Sequence, residues 1–157
     1  MTHPQKSSAR EKQHAKRFEE LSAPVLEAEG VQKMREYCQH GRVSTYEHCV
    51  RVARCAYKMS CALPGRYDDE AIVRAGLLHD YYGYDWHHTD NSKHAINHPV
   101  IAMERAQREF GLSPLEQNII SAHMWPLPPT RIPKSAEAWF VCLADKICAL
   151  QETIAMR

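Results

Sequence analysis

Two tetrapeptides in this chain, Ser44-Thr45-Tyr46-Glu47 and Ser113-Pro114-Leu115-Glu116, put a glutamate three residues after a serine. That pairing is a capping box. The serine hydroxyl accepts from a backbone N–H in the first helical turn, and the glutamate reaches back to the serine's own N–H. Each box therefore fixes a helix start. The first opens a helix that should run to about Leu63, where Pro64-Gly65 ends it. The second, with proline at its first helical position, opens one carrying Leu115, Ile119, Ile120 and His123, broken at Met124-Trp125-Pro126.

The remaining punctuation is also helical. Pro24 opens a segment with Val25, Ala28, Val31, Met34 and Cys38 at helical spacing, ending at Gly41. Asp68 or Asp69 caps a helix holding Ala71, Ile72, Ala75 and Leu78, which leads into His79-Asp80. Residues 81–97 read as a loop rich in Tyr, Trp, His and Asn. His98-Pro99 marks a helix start, with its end near Phe110-Gly111. Pro128, Pro129 and Pro133 keep the next stretch non-helical, and Ser135 begins a last helix through Trp139, Cys142, Leu143, Ile147 and Leu150. No segment alternates as a strand does, and hairpin signals are missing. The expected fold is all-α, a compact bundle of about six helices. Residues 1–22, with five Lys or Arg against three Glu, read as a polar, loose or helical N-terminal extension, and 23–157 as the domain.

Composition excludes several classes. The chain has 157 residues, 44% of them hydrophobic and 25% charged, as a soluble globular domain does. No apolar run approaches roughly 18 residues, so no membrane helix is expected. The N-terminal stretch has no apolar core of a secretory signal. The six cysteines include no C-x-x-C pair and read as reduced cytoplasmic thiols. A formal net charge of +1 gives no general attraction to nucleic acid or to a membrane surface. The unusual number is ten histidines, seven of which fall between residues 48 and 123.

Several of those histidines, and one aspartate, sit where apolar residues belong. On a helix Asp145 neighbours Val141, Cys142, Cys148 and Ala149, so its carboxylate faces inward. A buried carboxylate must be paired or bind a metal, and a salt bridge or a helix cap would also satisfy it. His79 follows Ile72, Ala75 and Gly76 on a core-facing side, and Asp80 adjoins it. His48 has Val52 and Cys55 below it. His98 and His123 lie beside helix-bounding prolines. A core does not collect unpaired polar groups, and one shared metal site satisfies all of them. Mixed N and O donors suit Fe, Mn, Co, Ni or Zn and argue against a thiolate zinc finger.

This pattern resembles the HD-domain metal-dependent phosphohydrolases: a lone His (His48 in STYEHCVRVA), the His-Asp doublet (His79-Asp80 in AGLLHDYY) and a distant Asp (Asp145 in VCLADKICAL). The resemblance covers roughly residues 44–153. His98 in NHPVIA and His123 in SAHMWP resemble the extra histidines of the subgroup with two metals, which includes a bacterial diadenosine tetraphosphate hydrolase and the HD-GYP phosphodiesterases. The resemblance implies that His48, His79, Asp80 and Asp145 hold a first divalent transition metal. Asp80 would bridge to a second, completed by His98 and His123. Alternatively, one metal is bound and His98 and His123 contact substrate phosphate. The chain departs from HD-GYP enzymes in lacking the GYP motif, and Tyr81-Tyr82-Gly83-Tyr84-Asp85-Trp86 replaces their Gly-Lys segment. Cleavage of cyclic di-GMP is therefore not expected.

The implied activity is hydrolysis of a phosphate ester or anhydride, of a nucleotide or dinucleotide, by metal-activated water, with Asp80 and His79 as the catalytic pair. The competing reading is a catalytically silent nucleotide-binding or regulatory HD domain, which would be expected to lack one of the six residues. Arg51, Lys93, His94 and Lys146 are candidate phosphate contacts, or else ordinary solvated surface charges. Tyr81, Tyr82, Tyr84, Trp86 and Trp125 could stack a base or pack the loop. His87 and His88 are candidate outer acids. The expected partner is a small phosphorylated molecule.

Overall fold

The backbone of residues 4–88 and 93–155, with side chains from residue 9 onward, is described by a computed structural model. Thr89–Ser92, part of the stretch read as a loop, and the chain ends lie outside it. Among the described residues there are seven α-helices, two 3-10 turns and one two-stranded ribbon, so the all-α expectation holds. No described helix is long and apolar enough to cross a membrane.

Helix α1 spans Pro4–Leu26 and α2 spans Glu29–Lys33. The single helix expected from Pro24 to Gly41 does not form. Pro24 lies inside α1, and a 3-10 turn at Met34–Glu36 leads into β1 (Cys38–His40), paired antiparallel with β2 (Val43–Ser44). The ribbon turns at Gly41, whose φ of 58° glycine adopts without strain. It is too short for alternation to reveal, which corrects the expectation of no hairpin. The polar extension is the body of α1, anchored by buried Phe18, Ser22 and Val25.

The capping-box helix α3 spans Thr45–Ala62, and its box is complete: Ser44 Oγ accepts from Glu47 N–H, and Ser44 N–H donates to Glu47 Oε2. Asp68 caps α4 (Asp69–Leu78) by accepting from the N–H of Ala71. Helix α4 is the core element, buried along most of its length. It meets α3 at Gly76, where a Cβ would lie 2.8 Å from Ala53 Cα. This close crossing brings the residues at the end of α4 against the first turns of α3.

Helix α5 spans His94–Phe110, one turn earlier than expected from His98-Pro99. Lys93 C=O accepts from Ile96 and Asn97 and closes that extra turn, and Pro99 lies within the helix. The turn carries little apolar periodicity because it faces a cleft and not the core. Helices α6 (Pro114–Ala122) and α7 (Ala136–Ile154) start at their Ser113 and Ser135 caps as expected.

Candidate metal centre

Five helices deliver one polar residue each, or two, to a single point. His48 lies in the first turns of α3, His79 is the C-cap of α4 with Asp80 after it, and His98 is on α5. His123 is the C-cap of α6 and Asp145 lies midway along α7. His48 and His79 are fully buried, and Asp80 and His123 nearly so. Asp145 and His98 are buried to within a few per cent.

Each imidazole is tied by the same atom. His79 Nδ1 donates to Gly76 C=O at 2.8 Å, His98 Nδ1 to His94 C=O at 2.9 Å, and His123 Nδ1 to Ile120 C=O at 2.7 Å. His48 Nδ1 donates to Glu152 Oε2 at 2.9 Å. A carbonyl or carboxylate oxygen only accepts, so these nitrogens carry the hydrogen and direct the four Nε2 atoms inward. Histidines that ligate metals are held in this way.

The inward atoms have few partners. His79 Nε2 and Asp80 Oδ1 are buried with no hydrogen bond. His98 Nε2 and His123 Nε2 stand 2.9 Å apart, and with both Nδ1 atoms protonated they would oppose lone pair to lone pair unless a proton or cation lies between. Asp80 Oδ1 is 3.2 Å from His98 Nε2 and 3.5 Å from His123 Nε2. Asp145 Oδ1 is 3.0 Å from His48 Nε2 and 3.6 Å from His79 Nε2. Three donor sets, His48–His79–Asp145, His79–Asp80–His123 and His40–His48–Glu152, each have ligand atoms within 4.8 Å of one another. Orphaned buried atoms and a mixed N/O donor set fit a divalent metal ion.

The electrostatics agree. Burial works to lower His48, but the carboxylates of Asp145 and Glu152 outweigh it and raise its pKa to about 10. His79 is likewise raised above its ordinary value: burial opposes this, and the charge of Asp80 prevails. Burial favours protonation of Asp80 and Asp145, yet the imidazoles around them hold both well below the usual carboxylate range. His123 is driven down to about 3, first by burial and then by the charge on His79.

The donors open into a cleft of about 1170 Å³. Of the proposed substrate contacts, His94, Trp86 and Lys146 line it. Lys146 Nζ donates to His123 C=O at 3.0 Å, beside the cluster. Trp86 stacks nearly parallel on His94 with centroids 5.2 Å apart, and His87 lies against it tilted by 33° at 3.8 Å, so much of its ring surface is already engaged. Arg51, Lys93, Tyr84 and Trp125 are not among the residues lining the cleft. Arg51 bonds to Glu152 at 3.3 Å, Tyr84 OH meets His94 Nδ1 at 3.0 Å, and Trp125 packs edge-on against Trp139. Tyr81 and Tyr82 are buried, bonded to Glu109 and Gln39. His87 and His88 pair with Asp85.

Three contributors escaped sequence reasoning. Glu152 is 3% exposed and holds His48; it stands seven residues after Asp145, on the same helix face, which was a readable signal. Gln39 Nε2 donates to Asp80 Oδ2 at 2.6 Å, while Gln39 Oε1 accepts from Tyr82 OH at 2.8 Å and Thr45 Oγ1 at 3.1 Å. Those two donors fix which way the amide points. His40 also lines the cleft, from the ribbon that the sequence hid.

A helical bundle with a buried His/Asp cluster at the meeting point of five helices defines a class of metal-site proteins. Within that class the match is specific: the family model described as HD domain matches residues 45–150, and the chain belongs to that family. The family consists generally of metal-dependent hydrolases. No curated protein and no solved structure matches the chain.

Proposed function

We propose that the protein is a metal-dependent phosphohydrolase that cleaves a phosphate ester or anhydride of a nucleotide-type substrate. The observation carrying this reading is the convergence of four Nε2 atoms on two carboxylates, with His79 Nε2 and Asp80 Oδ1 buried and without a hydrogen bond. His48, His79 and Asp145 would hold one divalent ion, and Asp80 would bridge to a second held by His98 and His123. Such ions supply Lewis acidity and lower the pKa of a bound water toward about 7.

The chain's own residues do the rest. Asp80, its Oδ2 fixed by Gln39, orients the attacking water through Oδ1. Lys146, anchored beside the cluster, balances charge on the phosphoryl oxygens. The described lining residues include no Ser, Thr or Cys, so water is the nucleophile in this reading. Its oxygen bonds to phosphorus, the bond from phosphorus to the leaving oxygen breaks, and a proton passes to that oxygen. That all six family-pattern residues are retained supports an enzyme over a silent regulatory domain.

The test is hydrolysis of a chromogenic phosphodiester and a phosphomonoester by protein loaded with Mn2+, Co2+ or Zn2+, with and without chelator. The wild type should turn over one of them and lose activity to chelator, and Asp80→Ala should abolish turnover and metal retention with helical circular dichroism unchanged. Full activity in Asp80→Ala would refute the mechanism.

A further inference from the structure

The cleft beside the cluster is far larger than a phosphate group requires, and much of its wall is apolar. Met124, Pro126, Leu127, Ala149 and Ala95 line it together with Trp86. Leu127 is 53% exposed there, a large apolar side chain facing open space. Cationic groups are few. Lys146 is the sole lysine or arginine among the described lining residues, and its ammonium, beside His123, already donates to His123 C=O, Cys142 C=O and Cys142 Sγ. The guanidinium groups of Arg51 and Arg131 are bonded to Glu152 and to the carbonyl of Ile96.

Polyphosphate sites surround each phosphate with Lys, Arg or oriented backbone N–H groups, because an unpaired anion beside apolar surface is strongly disfavoured. An apolar wall instead rewards burial of apolar ligand surface. We infer that the substrate is a monoester carrying one phosphate on an uncharged, largely apolar organic group, and not a di- or triphosphate. The inference rests on the phosphohydrolase reading of the donor cluster, keeps its ester, and departs from it in the organic group, which is largely apolar in place of a nucleoside. The phosphate meets the donor cluster, with the charge of Lys146 close by, and the organic group lies along Met124, Pro126, Leu127 and Ala149.

Binding and turnover are measured separately on the full chain loaded with Zn2+. Fluorescent 2-naphthylmethylphosphonate, which cannot be hydrolysed at an ester bond, should bind roughly 30- to 100-fold more tightly than methylphosphonate. In displacement of that probe, benzyl phosphate should compete about tenfold better than ethyl phosphate, whose alcohol leaves with similar difficulty, and also better than benzyl diphosphate. Leu127→Asp should reduce the naphthylmethyl-to-methyl preference about tenfold. Equal affinities for the two phosphonates, or tighter binding of the diphosphate, would overturn the inference. Benzyl phosphate that binds with the expected preference but is never hydrolysed would leave the cleft's preference for one phosphate on an apolar group standing and refute the phosphohydrolase reading, and with it the role of such a monoester as substrate.

Discussion

Loading the site with metal should expel protons in a number that the geometry fixes. In the metal-free protein the raised pKa of His48, about 10, and of His79 make both rings imidazolium ions at neutral pH. Their Nε2 protons face Asp80 and Asp145, which are held ionised. The two protons thus balance the two carboxylates, as a divalent ion would. A metal needs those Nε2 lone pairs, so the first ion must release two protons. His123, with its pKa near 3, is already neutral, and its Nε2 lies 2.9 Å from that of His98. The pair can share at most one proton, so a second ion releases no more than one.

Two protons per ion make the apparent affinity for the first ion rise about 100-fold per pH unit between about pH 6 and 7, or about 2.7 kcal/mol per unit. The sign follows from the raised values: protons occupy the site below the raised pKa and compete with metal, so affinity climbs as pH rises. Titration calorimetry of metal into the metal-free protein, in buffers of different ionisation enthalpy, gives the proton count as a slope. A slope near two for the first ion at about pH 6.5 is the expected result. Some excess toward pH 8 would come from ionisation of bound water. Fewer than about half a proton, or an affinity flat across that range, would refute the charge assignment.

Two other perturbations probe how the site is held. Gly76→Ala drives a Cβ to 2.8 Å from the Ala53 backbone, which a side-chain rotation cannot relieve. Net of the gain in helix propensity it should cost about 1–2 kcal/mol in chemical denaturation and weaken metal binding, because the same crossing sets the His48–His79 spacing of 5.3 Å. A stabilised Gly76→Ala protein would show that the two helices do not meet as described. Gln39→Leu removes the hydrogen bond to Asp80 and should lower metal affinity about 10- to 100-fold in a chelator competition assay. Tyr82→Phe, which removes only one donor to the Gln39 oxygen, should have a smaller effect, and equal effects would refute a positioning role for the amide.

Much of this was legible because helices announce their ends. Ser44, Asp68, Ser113 and Ser135 cap α3, α4, α6 and α7 as the local chemistry requires. The buried polar residues stood out because Asp145, His79 and His48 violate apolar faces that the sequence defines. What stayed hidden depends on tertiary contact. The ribbon at Cys38–Ser44 is short and follows a segment whose apolar residues repeat at helical spacing, so Gln39 reads as the end of a helix that does not form and His40 as the loop after it. The first turn of α5 faces the cleft and therefore carries no apolar period. Arg51, a candidate phosphate contact on α3, lies outside the cleft, and Glu152, brought from α7, takes its guanidinium. No local pattern reports a partner that lies 101 residues away.

The most direct test of the central claim is the metal content of purified, tag-free protein by elemental mass spectrometry, compared with His123→Ala. About two transition-metal ions per chain are expected, falling to about one in the variant, since His98 and Asp80 without His123 cannot hold the second ion. About one ion in both proteins would contradict the binuclear site and return His98 and His123 to contact with substrate phosphate. No ion under any reconstitution would contradict the metal centre itself.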